Sequence, residues 1–171
     1  GSGCHTLALR KMGKEALAID ISPWSVKVME ARGLTARQVN LFDERFTERF
    51  DTILMLMNGS GIIGRLERMG DFFRRIRQLL NPGGQILMDS SDLRYLFEDE
   101  DGSYLVNLAG NYYGEIDFRM QYKQVKGDSF DWLYVDFDTL SAYAAQCGFR
   151  AECIQEGSHY DYLARLTVTN E

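Results

Sequence analysis

Short apolar runs alternate along the chain with segments in which apolar residues recur every three or four positions. The runs predict β-strands at residues 15–20, 37–42, 51–57 and 85–91. The run at 51–57 is continuous, which is typical of a strand covered on both faces. Between residues 66 and 80 the spacing predicts a helix with one buried stripe, and residues 81–84 predict a turn after it. This alternation favours an α/β fold with parallel strands.

The clearest helix start in the sequence follows the first predicted strand. Ser22 can cap a helix, and Pro23 suits its first turn because no amide hydrogen is needed there. Gly33 can end the same helix in the left-handed conformation. Asp20 therefore stands at the end of a strand, directly before a helix.

The pattern changes after residue 92, where two aromatic-rich stretches partly alternate. Residues 112–125 and 128–137 predict an antiparallel hairpin with its turn at Lys126-Gly127. A helix follows, for which Asp138 is the predicted cap and Gly148 the predicted end. Two final strands, predicted at 149–156 and 159–168, form a closing hairpin.

Length and composition favour a single domain. The chain has 171 residues, 45% of them hydrophobic, which is enough for one sizeable core and too little for two. No apolar run approaches the ~20 residues of a membrane span, so we predict a soluble, cytoplasmic protein. Cys4, Cys147 and Cys153 show neither a C-x-x-C pair nor zinc spacing, so we predict free thiols and no metal.

The net charge of −6 is unevenly distributed. Residues 1–90 carry thirteen Lys and Arg against ten Asp and Glu, whereas residues 91–171 carry six against fifteen. An acidic protein lacks the basic footprint that nucleic-acid binding normally needs. We interpret Arg74, Arg75 and Arg77 as a solvated helix face, and we predict no nucleic-acid partner.

Glycines at the start of the chain precede a helical pattern. Gly1 and Gly3 let a ligand approach the backbone closely, and a helix N-terminus favours a negative group. Asp20, at the end of the next strand, can then accept hydrogen bonds from two ribose hydroxyls. Two alternatives stay open from these residues alone: a Gly-Ser leader without a ligand, and ordinary helix capping at Asp20.

Four segments in register carry a family resemblance. Residues 1–9 (GSGCHTLAL), 18–24 (AIDISPW), 50–61 (FDTILMLMNGSG) and 79–92 (LLNPGGQILMDSSD) resemble the class I S-adenosylmethionine-dependent methyltransferases. The resemblance implies a Rossmann-like, doubly wound, mostly parallel sheet with a C-terminal antiparallel hairpin. It also implies S-adenosyl-L-methionine as cofactor.

The resemblance implies a role for each of several residues at the cofactor. Gly1 and Gly3 belong to the loop around the methionine moiety, Asp20 holds the ribose, and Ile21 packs on adenine. Asn40 and Leu41 lie at the position where family members bind adenine, usually with an aspartate that accepts a hydrogen bond from the adenine amino group. Met57 and Asn58 lie at the mouth of the fourth strand.

Two features depart from the family pattern. The family's first strand would lie upstream of Gly1, so we expect the 171 residues to be a fragment of one methyltransferase domain. The aromatic hairpin, at about residues 104–135, resembles an insertion over the acceptor pocket. The alternative, a hairpin that only covers core, is equally open.

Two rival functions remain. An NAD-dependent dehydrogenase would also use a glycine-rich turn and an acidic residue after the next strand. In this chain, however, Thr6 occupies the position of the third glycine of that motif. A non-catalytic, cofactor-binding or scaffolding relative is the other.

Because the sulfonium already activates the methyl group, alignment supplies most of the catalysis and a general base is optional. We therefore assign no catalytic residue. The acidic, aromatic C-terminal half favours a small-molecule acceptor, or a protein side chain, that is neutral or cationic.

Overall fold

The structure is a computed structural model that describes residues 1–99, 101, 103–104 and 110–169. The chain forms two compact units, Gly1–Thr47 and Glu48–Glu171. Both combine helices with a small sheet. The prediction that they form one domain with one doubly wound sheet stays a prediction.

The first unit consists of two helices and a parallel strand pair. Its elements are α1 (Cys4–Lys11), β1 (Ala18–Asp20), α2 (Pro23–Ala31) and β2 (Ala36–Gln38). β1 pairs with β2 in parallel, so that Asp20 lies opposite Gln38. The core contains Ala18, Val26, Met29 and Leu34.

The predicted limits of α2 are confirmed. The Ser22 side chain caps the helix by accepting from the Ser25 amide at 3.3 Å, and Pro23 is its first residue. Gly33 follows the helix with φ 71°, a left-handed value that glycine adopts without steric cost.

The second unit is built on a four-stranded mixed sheet. Its elements are β3 (Phe50–Met55), α3 (Met69–Leu79), β4 (Leu80–Ser91), β5 (Glu115–Tyr122), β6 (Val125–Leu133), α4 (Phe137–Gln146), β7 (Phe149–Glu156) and β8 (Asp161–Val168), with 3-10 helices at Gly59–Ile63, Leu66–Arg68 and Leu93–Phe97. The strand order is β3-β4-β8-β7. β3 and β4 are parallel, as predicted, and β7 and β8 form the predicted antiparallel closing hairpin.

Two expectations about β3 and its neighbour need correction. The strand ends at Met55, two residues early, and Asp51 and Thr52 are exposed, so it is not covered on both faces throughout. The predicted turn at residues 81–84 lies inside β4 as a register irregularity, because Leu80 pairs with Phe50 while Gln85 pairs with Thr52.

The aromatic hairpin is present, but its turn lies elsewhere. β5 and β6 pair in antiparallel, and the turn falls at Lys123-Gln124, where Lys123 takes φ 53°. The predicted turn residues Lys126 and Gly127 belong to β6. The register shifts by an extra residue beside Gly127, which is a position where strands favour glycine.

The cap of α4 and the basic cluster also differ from prediction. Asp136, rather than Asp138, caps the helix by accepting from the Thr139 amide, whereas the predicted end at Gly148 is confirmed. In the basic cluster, Arg75 is only 6% exposed, and Arg77 donates to the main-chain carbonyls of Cys147 and Gly148. Arg75 is therefore buried rather than part of a solvated face, whereas Arg74 and Arg77 are exposed as predicted, and Arg77 also binds the end of α4.

Some classes of site leave no trace in the described residues. None of the helices there is both long and apolar enough to cross a membrane. The three cysteines are free thiols. Among the same residues, no cluster of three or more His, Cys, Asp or Glu side chains could hold a metal ion.

Candidate functional site

The end of β1 gathers the polar groups of the first unit. Asp20 Oδ1 accepts from the Ser22 amide at 2.8 Å, and its Oδ2 lies next to the main chain at Gly1. The Asp20 side chain is 17% exposed. The carboxylate is therefore fixed at one oxygen by the helix start, while the other faces the glycine turn.

The glycine turn is held in a conformation that needs glycine. Gly3 precedes α1 with φ 77°, and a Cβ atom there would lie 2.6 Å from Leu34 Cδ1 and 2.9 Å from Met29 Cγ. Arg32 Nη1 donates to the Ser2 carbonyl at 2.8 Å and fixes the turn from the other side. This backbone-lined turn beside a carboxylate fits a cofactor with a polar ribose.

Ile21, the residue predicted at adenine, and Trp24 follow Asp20 closely in the chain. Ile21 is 70% exposed and Trp24 is 72% exposed, with Lys27 Nζ 4.5 Å from the centre of the Trp24 ring. Exposed apolar side chains next to this carboxylate can stack on a flat base. They fit the adenine end of the predicted cofactor.

The predicted pair after β2 divides into an exposed and a buried residue. Asn40 is exposed, and its Oδ1 accepts from the Phe42 amide at 3.0 Å, which leaves one lone pair for an outside donor. Leu41 is buried at 8% exposure and therefore acts through packing. The Val39 amide donates to the Asp20 carbonyl at 3.0 Å and joins this segment to the end of β1.

In the second unit, the loop after β3 is strained. Met57 and Asn58 take φ values of 71° and 55°, a left-handed region that costs residues other than glycine about 1–3 kcal/mol. Met57 is 74% exposed, so packing against its side chain does not explain the strain. Such strain is frequent at ligand sites.

Three consecutive residues of β4 hold this loop. Asp89 accepts from the amides of Met57 at 3.1 Å and Gly59 at 3.0 Å. Ser91 Oγ donates to Asn58 Oδ1 at 2.9 Å. This hydrogen bond fixes the orientation of the Asn58 amide.

Ser90 continues the same arrangement into the core. Its Oγ lies 2.7 Å from Ser60 Oγ and accepts from the Val135 amide at 2.9 Å. Ser60 in turn donates to the Leu133 carbonyl at 2.8 Å. Both serines are fully buried, so these polar groups fix the loop against the end of β6.

A buried carboxylate lies beside the loop-to-helix turn before α4. Asp136 is 5% exposed and accepts from the Thr139 amide at 2.9 Å and from the Tyr112 hydroxyl. The Tyr113 hydroxyl lies 3.1 Å from Asp136 Oδ2 and 2.8 Å from Asp92 Oδ1. Two phenols and two carboxylates thus form one network.

The protonation states of this network follow from its surroundings. Burial favours the neutral acid and raises the pKa of Asp136, but hydrogen bonds from Thr139, Tyr112 and Tyr113 together outweigh it and hold that pKa below its usual range. Burial raises the pKa of both tyrosines. At neutral pH the phenols are therefore protonated donors and cannot serve as bases.

This network predicts a pH-dependent stability. Because the pKa of Asp136 is lower in the folded state, its stabilisation is complete above the ordinary carboxyl value near 3.8 and is lost as the pH falls through the lower folded value. We expect the Tyr112→Phe, Tyr113→Phe double variant to lose about 1–2 kcal/mol of unfolding free energy at neutral pH. Urea unfolding across a pH series should show this difference shrinking below pH 4. Tyr143→Phe on α4 is the control, and a difference independent of pH would contradict the assignment.

The base of the hairpin is anchored by one arginine and one tryptophan. Arg65 Nη2 lies 2.6 Å from a carboxylate oxygen of Asp117 and of Asp131, and Nη1 lies 3.3 Å from Glu115. The hydrogen bond to Arg65 is the main reason that the pKa of Asp131 lies below its usual range. The Trp132 ring covers Gly61 so closely that no Cβ atom could fit there. The hairpin base is thereby attached to the loop segment that follows β3.

Sequence reasoning placed some of these groups and missed others. It predicted a strand at residues 85–91, and Asp89, Ser90 and Ser91 are the last residues of β4. The Arg65 cluster, the Trp132–Gly61 contact and Asp136 were missed. The aspartate three residues before Thr139 was the available signal for Asp136, because a helix cap accepts from the amide three residues on.

Comparison with known proteins identifies the class. Residues 1–88 match the family described as methyltransferase domain. A SAM-dependent methyltransferase from Bacteroides fragilis, solved with S-adenosyl-L-homocysteine, is 72% identical with a TM-score of 0.94, and the match covers 99% of this chain and 70% of that one. No curated protein matches the chain.

Two more distant structures share the fold. The glycopeptide N-methyltransferase MtfA, complexed with S-adenosyl-L-homocysteine, is 16% identical with a TM-score of 0.64, covering 98% of this chain and 79% of that one. The sugar N-methyltransferase KedS8 from Streptoalloteichus sp ATCC 53650 is also 16% identical with a TM-score of 0.64, covering 100% and 77%.

The chain belongs to the methyltransferase domain family. It is a class I S-adenosylmethionine-dependent methyltransferase, as the resemblance predicted, and its cofactor is S-adenosyl-L-methionine. The dehydrogenase and the non-catalytic alternatives are thereby set aside.

Proposed function

We propose that this methyltransferase acts on a small molecule that is neutral or cationic and has an apolar body. The observation that carries the proposal is the network of Tyr112 and Tyr113 with the carboxylates of Asp92 and Asp136. An anionic acceptor would meet like charge there, while aromatic faces and carboxylates attract a cation.

We also propose how the first unit holds the cofactor. Asp20 Oδ2 accepts from the ribose hydroxyls, and the turn at Gly1 and Gly3 lets the methionine moiety approach the backbone. Ile21 packs on the adenine ring, and the free lone pair of Asn40 Oδ1 accepts from the adenine amino group. The left-handed turn at Gly3 and the exposure of Ile21 support this arrangement.

In the second unit, we propose that Met57 and Asn58 face the ligands. The support is the strained backbone, which Asp89 and Ser91 hold in place without any packing of the Met57 side chain. A rigid loop of this kind can fix the position of a reacting group, and such positioning supplies much of the rate enhancement in group transfer.

The chemistry asks little acid or base catalysis of the chain. When bound, S-adenosylmethionine supplies a methyl group already activated by its sulfonium. The residues need to align a nucleophile with it and exclude water. Since the phenols of Tyr112 and Tyr113 stay protonated and donate to carboxylates, they cannot remove a proton from the methyl acceptor.

The two distant structures support the acceptor class. Both are N-methyltransferases by description, one for a glycopeptide and one for a sugar. They share only the fold with this chain, so the proposal depends on the charge and aromatic character described above. A protein side chain is the second candidate acceptor, since an exposed lysine or a terminal amine of a protein is also a cationic amine that can be methylated on nitrogen.

Methyl transfer from labelled S-adenosylmethionine into fractionated cell extract tests the proposal. We expect label in the small-molecule fraction, unchanged by nuclease, and a strong loss of transfer when Tyr112 and Tyr113 are replaced by alanine. The Tyr143→Ala variant is the matched control. Label in nuclease-sensitive material would overturn the proposal, and label in protein would favour the second candidate.

A further inference from the structure

The hairpin of β5 and β6 has one apolar face. Along β5, Ile116, Phe118, Met120 and Tyr122 alternate with polar residues and so lie on the same side of the strand. The β6 residues directly opposite them, Trp132, Phe130 and Val125, extend this face. The Phe118 and Phe130 rings stack across it with centroids 5.9 Å apart.

Exposure of this face increases toward the turn. Ile116, Phe118 and Trp132 are half-buried near the base, where the loop after β3 contacts Trp132. Phe130 is 41% exposed. Near the turn, Met120, Tyr122 and Val125 are 64%, 73% and 71% exposed. A contiguous apolar patch of this kind marks an interaction surface.

The hairpin also lacks a neighbouring strand. Within the described residues it is a two-stranded sheet, so the outer edge of β5 has no strand partner there. Two-stranded sheets are marginally stable alone, and open edges readily accept another strand. The apolar face and the open edge belong to the same element.

The polar face identifies the partner. At the base of the hairpin, the three carboxylates of Glu115, Asp117 and Asp131 outnumber their shared partner Arg65 and leave a negative balance. Toward the turn the balance is positive, because Arg119, Lys123 and Lys126 outnumber Asp128. Because the charge changes sign along β5, the strand is complementary to the β5 strand of a second copy that runs antiparallel to it. With Phe118 opposite Phe118 of a second copy, Asp117 lies opposite Arg119, and twofold symmetry makes that pair twice.

We propose that this methyltransferase forms a twofold dimer in which the β5 strands of two copies pair in antiparallel. The resulting four-stranded sheet carries a continuous apolar face, because Ile116 then lies opposite Met120 of the other copy. The remaining surface of a chain with net charge −6 repels itself, which restricts self-association to a patch that complements its own charges. The inference does not depend on the identity of the methyl acceptor.

Charge reversal tests both the partner and the register. Sedimentation velocity should show the wild-type protein as a dimer, with Asp117→Lys and Arg119→Glu each monomeric. An equimolar mixture of the two variants should form a dimer again, because each reversed charge then meets its opposite. Since Asp117 also contacts Arg65, a thermal melt of each variant verifies that the hairpin is folded.

Variants of the apolar face give a second, independent measurement. We expect Met120→Asp to raise the dimer dissociation constant by roughly tenfold or more. Val28→Asp, at another exposed apolar position on a helix, should leave it unchanged. A monomeric wild-type protein would overturn the proposal, as would a dimer that Met120→Asp does not weaken. If the wild-type protein stayed monomeric and instead bound anionic lipid vesicles, the partner of this face would be a membrane and the dimer proposal would be overturned.

Discussion

Replacing Asp20 by alanine will weaken the binding of S-adenosylmethionine by about 1.5–3 kcal/mol, or roughly tenfold to 150-fold, which is the scale of lost charge-assisted hydrogen bonds. The physical reason is that the two carboxylate oxygens of Asp20 have different partners. Oδ1 holds the Ser22 amide at 2.8 Å, while Oδ2 faces the glycine turn. Calorimetry on the full-length protein measures the change.

Two further variants separate binding from folding. Asp20→Asn keeps a carbonyl oxygen for the Ser22 amide, so α2 should still begin at Pro23 while the cofactor loses a charged acceptor. Asp43→Ala removes a carboxylate of the same unit that pairs with Arg45 at 2.7 Å, and it should leave the affinity unchanged. Unaltered affinity in both Asp20 variants would remove this residue from the cofactor site.

Local signals predicted the first unit well. Four local features were predicted there: the strand end at Asp20, the helix cap at Ser22, the first helical turn at Pro23 and the helix end at Gly33. Each depends on residues only a few positions apart. The structure has all four where they were predicted. Short-range physical chemistry is sufficient when cap and stop residues agree with the apolar pattern.

The hairpin turn shows where local signals mislead. Lys126-Gly127 looked like the turn because glycine tolerates unusual backbone angles. The chain instead turns three residues earlier, at a lysine in the left-handed region, and uses the glycine at a bulge. Cross-strand pairs such as Phe118 with Phe130 fix this register, and their benefit exceeds the small cost of the lysine conformation.

The candidate site was predictable only in part. The end of each parallel strand could be located, so Asp20 and Asp89 were found by position. The contacts of Arg65 and Trp132, and those of Asp136 with the two tyrosines, join residues 23 to 71 positions apart in sequence. They depend on tertiary packing that no local pattern encodes. For the same reason the sequence did not reveal that Ser91 orients Asn58.

The last of our predictions concerns the contact between Gly61 and Trp132. A Cβ atom on Gly61 would lie 1.8 Å from Trp132 Cε2, so the indole must move if Gly61→Ala is to fold. We expect a loss of about 2–4 kcal/mol in unfolding free energy. We also expect the Trp132 side chain to become more exposed to solvent, which its fluorescence will report. Because Trp132 anchors the hairpin base, methyl transfer should fall with it.

The chain offers a matched control and a rescue. Gly70, in the first turn of α3, has no atom within 4 Å of an added Cβ, so Gly70→Ala should leave stability unchanged or raise it by up to about 1 kcal/mol. In a double-mutant cycle, Trp132→Val removes the colliding ring, and adding Gly61→Ala to it should cost far less than in the wild type. Equal costs in the two backgrounds would show that the ring does not lie over Gly61, and that the hairpin base is held by Arg65 without it.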